Sequence, residues 1–159
     1  MSNFQTHFDQ AEYNFHQAIS LSENGNYDWA VTLIFYTALH FVEGGFVLHD
    51  NKNSARNYAE NNSHKATIDK IAIVYDMNCK KIYERLHDLS ETSRYLHDLS
   101  GEMTAFNYFK LKDIKELLID LESLLEMIRR NTVFTKKQSE VNRLQNTVIE
   151  INDYLNQKN

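Results

Sequence analysis

The chain has 159 residues, of which 42% are hydrophobic, so it is long enough for one domain with a single hydrophobic core. It contains no proline and only four glycines, which excludes a fold built from hairpins and tight turns. Its net charge of −5 weighs against non-specific binding of nucleic acid, which requires Lys and Arg to neutralise phosphates, but leaves room for a local basic pocket.

The sequence also bears on the cellular compartment. Its single cysteine, Cys79, cannot form an internal disulfide, and a lone thiol without a patterned His partner is expected to be inert even at a helix start. No positively charged leader precedes the first predicted helix. The apolar run Tyr27 to Leu48 is just long enough for a bilayer, but it includes His40 and Glu43, and a charge at mid-membrane costs about 2.5 to 3.5 kcal/mol. We expect a reduced, cytoplasmic protein without a membrane span.

Apolar residues recur at helical spacing in successive segments of the chain, which predicts an all-α fold. Gly25 is a natural left-handed residue after the first helix, so the first two helices should form an antiparallel hairpin. Ser63 is placed to cap the third helix, and Thr135 to Gln138 matches a capping box before the last. The predicted helices are Asn3–Glu23, Tyr27–Leu48, His64–Tyr75, Cys79–Leu99, Leu111–Arg130 and Lys136–Leu155.

The second predicted helix is the most apolar and should occupy the centre of the domain. Its polar residues fall within an arc of about 120°, which we expect to face a cleft, a subunit interface or solvent. They are Asp28, Thr32, Tyr36, His40 and Glu43. The expected core residues are Phe8, Phe15, Leu33, Phe41, Ile71, Leu86, Leu89, Leu118 and Leu121.

The last predicted helix has a narrower apolar seam than a core helix, and such a seam usually meets one partner helix. A short polar helix is marginal in isolation, so we expect this seam to be buried in a homodimer or on a partner protein, with folding back on its own bundle as the alternative. This divides the chain into a bundle at 1–130 and a C-terminal interaction helix at 131–159. The seam consists of Val141, Leu144, Val148, Ile151 and Leu155.

Three segments in order carry a family resemblance: DWAVTLIFYTALHFVE, then SHKATIDKI with His64 near a helix start, then IYERLHDLSETSRYLHD with Arg94 and Tyr95 near a helix end. Over about residues 3–128 the chain resembles HEPN domains, a superfamily of bacterial and archaeal helical domains. The resemblance implies an antiparallel up-and-down bundle that commonly forms a homodimer. It also implies a setting beside a nucleotidyltransferase-type antitoxin or within an anti-phage defence system.

Many HEPN domains are metal-independent ribonucleases whose signature is an Arg followed, after four to six residues, by a His. This chain departs from that signature, because Arg94 and His97 are separated only by Tyr95 and Leu96. The departure favours a non-catalytic or degenerate RNA- or nucleotide-associated effector. One alternative is a helical protein–protein interaction module, such as a phage or host inhibitor, which the same departure and the acidic net charge also favour. The other is an active metal-independent endoribonuclease.

The candidate catalytic residues are Arg94, His97 and His64. In the functional interpretation, Arg94 binds a phosphate while His97 or His64 moves the proton of an RNA 2′-hydroxyl. In the structural interpretation, Arg94 pairs with Glu91 or Asp98 along the helix, for a few tenths of a kcal/mol.

The candidate binding residues are Tyr36, His40, Glu43 and Tyr95, the first three projecting towards the same cleft as His64. A His-x-x-Glu pair can supply half a metal site, but the sequence holds no second pair, so we expect no metal and no other cofactor. We favour mutual hydrogen bonding of Tyr36, His40 and Glu43 beneath a dimer interface.

Overall fold

The computed structural model describes residues 4–50, 64–95, 108–132 and 138–159. Within these ranges the chain forms helices and no strand, which confirms the all-α class. The helices are α1 (Phe4–Glu23), α2 (Tyr27–Asp50), α3 (His64–Val74), α4 (Met77–Tyr95), α5 (Leu111–Thr132) and α6 (Gln138–Gln157). The predicted caps at Ser63 and Thr135, and the predicted end of the fourth helix with His97, lie outside the described residues.

Helix α2 is the central element, since α1, α3, α4 and α5 all pack against it. It is long and apolar enough to cross a membrane, but 78% of its most apolar window is buried inside the bundle. Most of its apolar surface is thus covered by protein.

The connection between α1 and α2 follows the prediction from Gly25. This residue has a φ of 76°, the left-handed conformation that glycine adopts without strain. The Asn26 amide donates to the carbonyl of Leu21 at 2.8 Å and the Gly25 amide to that of Ser22 at 3.1 Å, the two bonds of a Schellman motif. The chain therefore reverses within three residues.

The predicted core is largely confirmed. Of the nine expected residues, Leu33 and Leu89 are only partly buried and pack against the edge of the core, whereas the other seven are buried. Both exceptions lie where their helices meet solvent between neighbours, a boundary that helical periodicity alone does not locate.

Helix α6 packs against α5 and is joined by side chains to α1. Arg143 donates to Glu12 at 2.7 Å and to Asp9 at 2.6 Å, and the hydroxyls of Ser22 and Tyr154 share a buried hydrogen bond of 2.6 Å.

The C-terminal seam is consequently covered by its own chain. Val141, Leu144, Val148 and Ile151 are buried, and Leu155 packs partly buried against the core. Of the packings expected from the sequence, the fold-back alternative is the one found in the structure of the single chain.

Two adjacent glycines allow the neighbours of α2 to approach closely. A Cβ at Gly44 would lie 2.7 Å from the ring of Phe8 on α1. A Cβ at Gly45 would meet the Tyr75 hydroxyl and lie 2.9 Å from Ile128 on α5. Three elements therefore converge where α2 has no side chain.

We expect Gly44→Ala to lower the free energy of unfolding. Overpacking against the fully buried ring of Phe8 costs about 1 to 3 kcal/mol, of which the better helix propensity of alanine offsets up to about 1 kcal/mol. Urea unfolding measures this. Gln17→Ala, at an exposed position of α1, should change stability by less than about 0.5 kcal/mol. A Gly44→Ala protein as stable as the wild type would show that α1 does not approach α2 this closely.

Candidate functional site

Helix α2 is open along one stripe. From Ala30 to Leu48 all residues but four are buried, and Trp29, which precedes them, is 60% exposed. At about 100° per residue these five side chains fall within an arc of about 60°. We call this the α2 stripe; it consists of Trp29, Leu33, Tyr36, His40 and Val47.

The α2 stripe does not coincide with the polar arc expected from the sequence. Thr32 and Glu43 belong to that arc but are buried, because neighbouring helices supply them with polar partners. The Thr32 and Ser93 hydroxyls share a hydrogen bond of 3.1 Å, and Thr67 on α3 donates to Glu43 at 2.6 Å. The expectation that the whole arc faces a cleft or solvent is therefore corrected at these two residues.

Arg94 is fixed beside the α2 stripe by residues of two helices. Its Nη1 donates to the Tyr36 hydroxyl at 3.0 Å, and its Nη2 donates to Glu91 at 2.8 Å and to the Ser90 hydroxyl at 3.3 Å. Its Nε donates to the Ser90 carbonyl at 3.3 Å. Among contacts within the described residues, one Nη1 N–H is left for a ligand. The ion pair with Glu91 foreseen in the structural interpretation is present, together with a bond to α2 that fixes the guanidinium group.

His64 lies close to a second histidine that the sequence analysis did not single out. The rings of His64 and His87 are 4.9 Å apart between centroids, and both lie against the ring of Phe35 at 5.4 and 5.3 Å. His87 Nε2 is 3.7 Å from the Glu91 carboxylate that also binds Arg94. His87, Glu91 and Arg94 recur at spacings of four and three on α4, and this periodicity was the signal that could have identified His87.

The remaining candidate residues are distributed around α2. His40 pairs with His7 on α1, with 3.2 Å between their Nδ1 atoms, whereas Glu43 faces α3. Tyr95 is exposed, and the Arg94 guanidinium lies 5.0 Å from the centre of its ring. The structure therefore brings Tyr36, Arg94 and Tyr95 together, with His64 nearby through His87. His40 shares the α2 stripe with Tyr36 but pairs with α1, and Glu43 lies against α3. His97 lies outside the described residues.

Within the described ranges no three His, Cys, Asp or Glu side chains are arranged to hold a metal ion. Cys79 is buried at the start of α4, and burial, with a smaller contribution from the Asp76 charge, raises the pKa of its thiol to about 12. A thiol with this pKa is protonated at neutral pH and is a poor ligand and nucleophile.

A cavity of about 730 Å³ between α4 and α5 is a separate feature. In its lining, Arg85 lies 3.2 Å from Glu116, and it also lies 3.1 Å from Asp120. Burial is the main reason that the pKa of Asp120 is raised, and the nearby Arg85 opposes it. Neither His64 nor Arg94 lines this cavity, so it is distinct from the cluster beside the α2 stripe.

Comparisons of the chain with protein-family models, with curated proteins and with solved structures found no match.

Glu43 provides a test of how α3 is held beside the site. The residue is 1% exposed, Thr67 donates to its Oε1, and Oε2 has no hydrogen-bond partner among the described residues. We expect Thr67→Val to lower the free energy of unfolding by about 1 to 3 kcal/mol, because it removes a donor from a buried carboxyl group.

Thr37→Val is the matched control for that measurement. Thr37 is equally buried, but its hydroxyl bonds only the Leu33 carbonyl one turn earlier, at 2.8 Å. That carbonyl keeps its intrahelical partner, so the loss should be small. Equal losses for the two variants in urea unfolding would contradict a specific role for the Glu43 contact.

Proposed function

We propose that this protein is a HEPN-like, RNA-associated effector of a defence or toxin–antitoxin type system, and that it binds RNA beside the α2 stripe. The ligand would lie against Tyr36, His64, His87 and Arg94, which we call the Arg94 cluster. The placement of Arg94 carries the proposal, because the guanidinium group is held by α2 and α4 with one N–H directed to no protein group among the described residues.

The chemistry of the Arg94 cluster suits a phosphodiester. Arginine contributes a permanent positive charge and a planar set of donors that matches phosphate oxygens. Tyr36 and the two histidines contribute ring surface and donors beside it, as proteins that bind unpaired RNA commonly do. The Glu91 carboxylate offsets part of the charge on Arg94, which favours binding over strong electrostatic catalysis.

The alternative of a protein–protein interaction module, which the Arg94–His97 spacing and the acidic net charge favour, would use the C-terminal seam as its binding surface. Because the seam residues are covered by their own chain, the seam itself does not favour this alternative. The Arg94 cluster supports the RNA proposal independently of the seam.

The proposal predicts a defined loss of affinity for Arg94→Gln. Removing one phosphate contact should weaken binding about equally for RNAs of different sequence and reduce the slope of log K against log salt by about 1. Fluorescence anisotropy with labelled single-stranded RNA in EDTA measures both quantities.

The control is Arg129→Gln on α5, since Arg129 pairs with Glu126 at the same i,i+3 spacing and at 2.7 Å. If the wild-type protein does not bind RNA at low salt, the proposed function fails. If both variants bind as tightly as the wild type, the site is not at Arg94.

An active ribonuclease is a second candidate, favoured by the contact between His64 and His87. Cleavage of RNA by its own 2′-hydroxyl requires one group to accept that proton and another to protonate the leaving oxygen. The ring centroids of His64 and His87 are 4.9 Å apart, and the two histidines lie near Arg94. This pair could meet the requirement without relying on the Arg94–His97 spacing.

For this candidate we expect cleavage in EDTA that is lost in both His64→Ala and His87→Ala but retained in His16→Ala, a change at an exposed histidine on α1. Gel analysis of end-labelled RNA measures it. RNA binding without cleavage would remove the ribonuclease and leave the binding function, whereas cleavage sensitive to EDTA would contradict a metal-independent mechanism.

A further inference from the structure

The most exposed side chain of the α2 stripe is Trp29, the only tryptophan of the chain. A solvated indole of this size exposes a large apolar surface that packing has not covered, and large exposed aromatic surfaces commonly mark binding sites. The position of the Trp29 indole relative to Arg94 indicates the kind of ligand that could bind to both side chains.

Helices α2 and α4 run antiparallel. Asp28 contacts Ser93, whereas Phe35, further along α2, contacts His87 and Tyr83, which are earlier on α4. The hydrogen bond from the Ser93 hydroxyl to the Asp28 carbonyl marks one point on the line of contact between the two helices.

Trp29 and Arg94 each follow one of these two contact residues by one position, which is a rotation of about 100° around the helix axis. Because α2 and α4 are both right-handed and run in opposite directions, a step of one residue forward along each helix turns the side chain to the same side of the pair. Trp29 and Arg94 therefore share a face. Tyr36, which Arg94 contacts, lies on this face about two helical turns beyond Trp29.

This face combines an exposed aromatic ring with a cation, and Tyr95 adds a second exposed ring against the guanidinium group. Proteins that hold single-stranded nucleic acid use this combination, in which bases stack on aromatic side chains while cations contact the backbone. A duplex cannot use it in the same way, because its bases are already stacked on one another.

We propose that the α2 stripe binds single-stranded RNA through its unpaired bases, with the indole of Trp29 stacked on a base near the phosphate that Arg94 contacts. The inference rests on the proposed function and adds to it the form of the ligand and the residue that selects it. Tyr36 lies between the two contacts, along a length of helix of about 10 Å from Trp29.

The single tryptophan makes the test direct, because all indole fluorescence reports on this position. Full-length protein is titrated with a single-stranded oligouridine RNA, with a blunt RNA duplex and with inorganic polyphosphate, and binding is followed in parallel by anisotropy. We expect the single strand to quench Trp29 emission and the duplex and polyphosphate to leave it unchanged.

Substitution supplies the second measurement. Trp29→Ala should weaken binding of the single strand about fivefold or more, the loss typical of one stacked base, and Trp29→Phe should restore part of it. Tyr13→Ala, which removes an equally exposed ring from α1, should leave affinity unchanged. Circular dichroism verifies that each variant is folded.

The outcomes separate this inference from the proposed function. Stacking at Trp29 is overturned if anisotropy shows binding without quenching and the Trp29→Ala protein binds as tightly as the wild type. RNA binding itself would still stand. Equal quenching by duplex and single strand overturns selection of unpaired bases. Absence of all binding overturns both proposals. A blue shift of Trp29 emission with protein concentration alone, accompanied by a dimer mass, assigns the stripe to a second copy of the chain and overturns the inference.

Discussion

The close packing around Gly44 and Gly45 is the constraint on which the rest of the structure depends. At these two positions α2 has no side chains, so Phe8 of α1, Tyr75 after α3 and Ile128 of α5 reach its backbone. Helix α2 can then be buried over most of its circumference by its neighbouring helices. This contact brings α1, α5 and the end of α3 close to α2, and the α2 stripe is the side of the helix that its neighbours cover least.

The cationic and histidine side chains of the Arg94 cluster lie beside the open side of α2. Arg94 reaches the stripe because α4 runs antiparallel to α2, and the hydrogen bond to Tyr36 fixes the guanidinium group across the gap between them. His64 and His87 meet against Phe35, a residue fully buried in the core. The Arg94 cluster is thus built on packed helices, which hold side chains more precisely than loops do.

The apolar seam of helix α6 is compatible with two packings, one against a partner helix and one against its own bundle. Its seam is as narrow as that of a helix made for a partner, yet its outer face carries Arg143, which binds Asp9 and Glu12 of α1. With a linker of only a few residues after α5, the intramolecular contact requires no second molecule and the helix folds back. The seam therefore contributes to the core of its own chain.

The sequence by itself determined the helical class, the extent of most helices, the turn at Gly25 and seven of the nine expected core residues, because these follow from local periodicity and backbone preference. Only the tertiary structure decided which polar residues stay buried. Thr32 and Glu43 belong to the same polar arc as Tyr36, but they are covered because α4 and α3 offer them Ser93 and Thr67. The meeting of His87 with His64 was likewise beyond the sequence, since it depends on how α3 crosses α4, and residues 23 positions apart carry no local signal of contact.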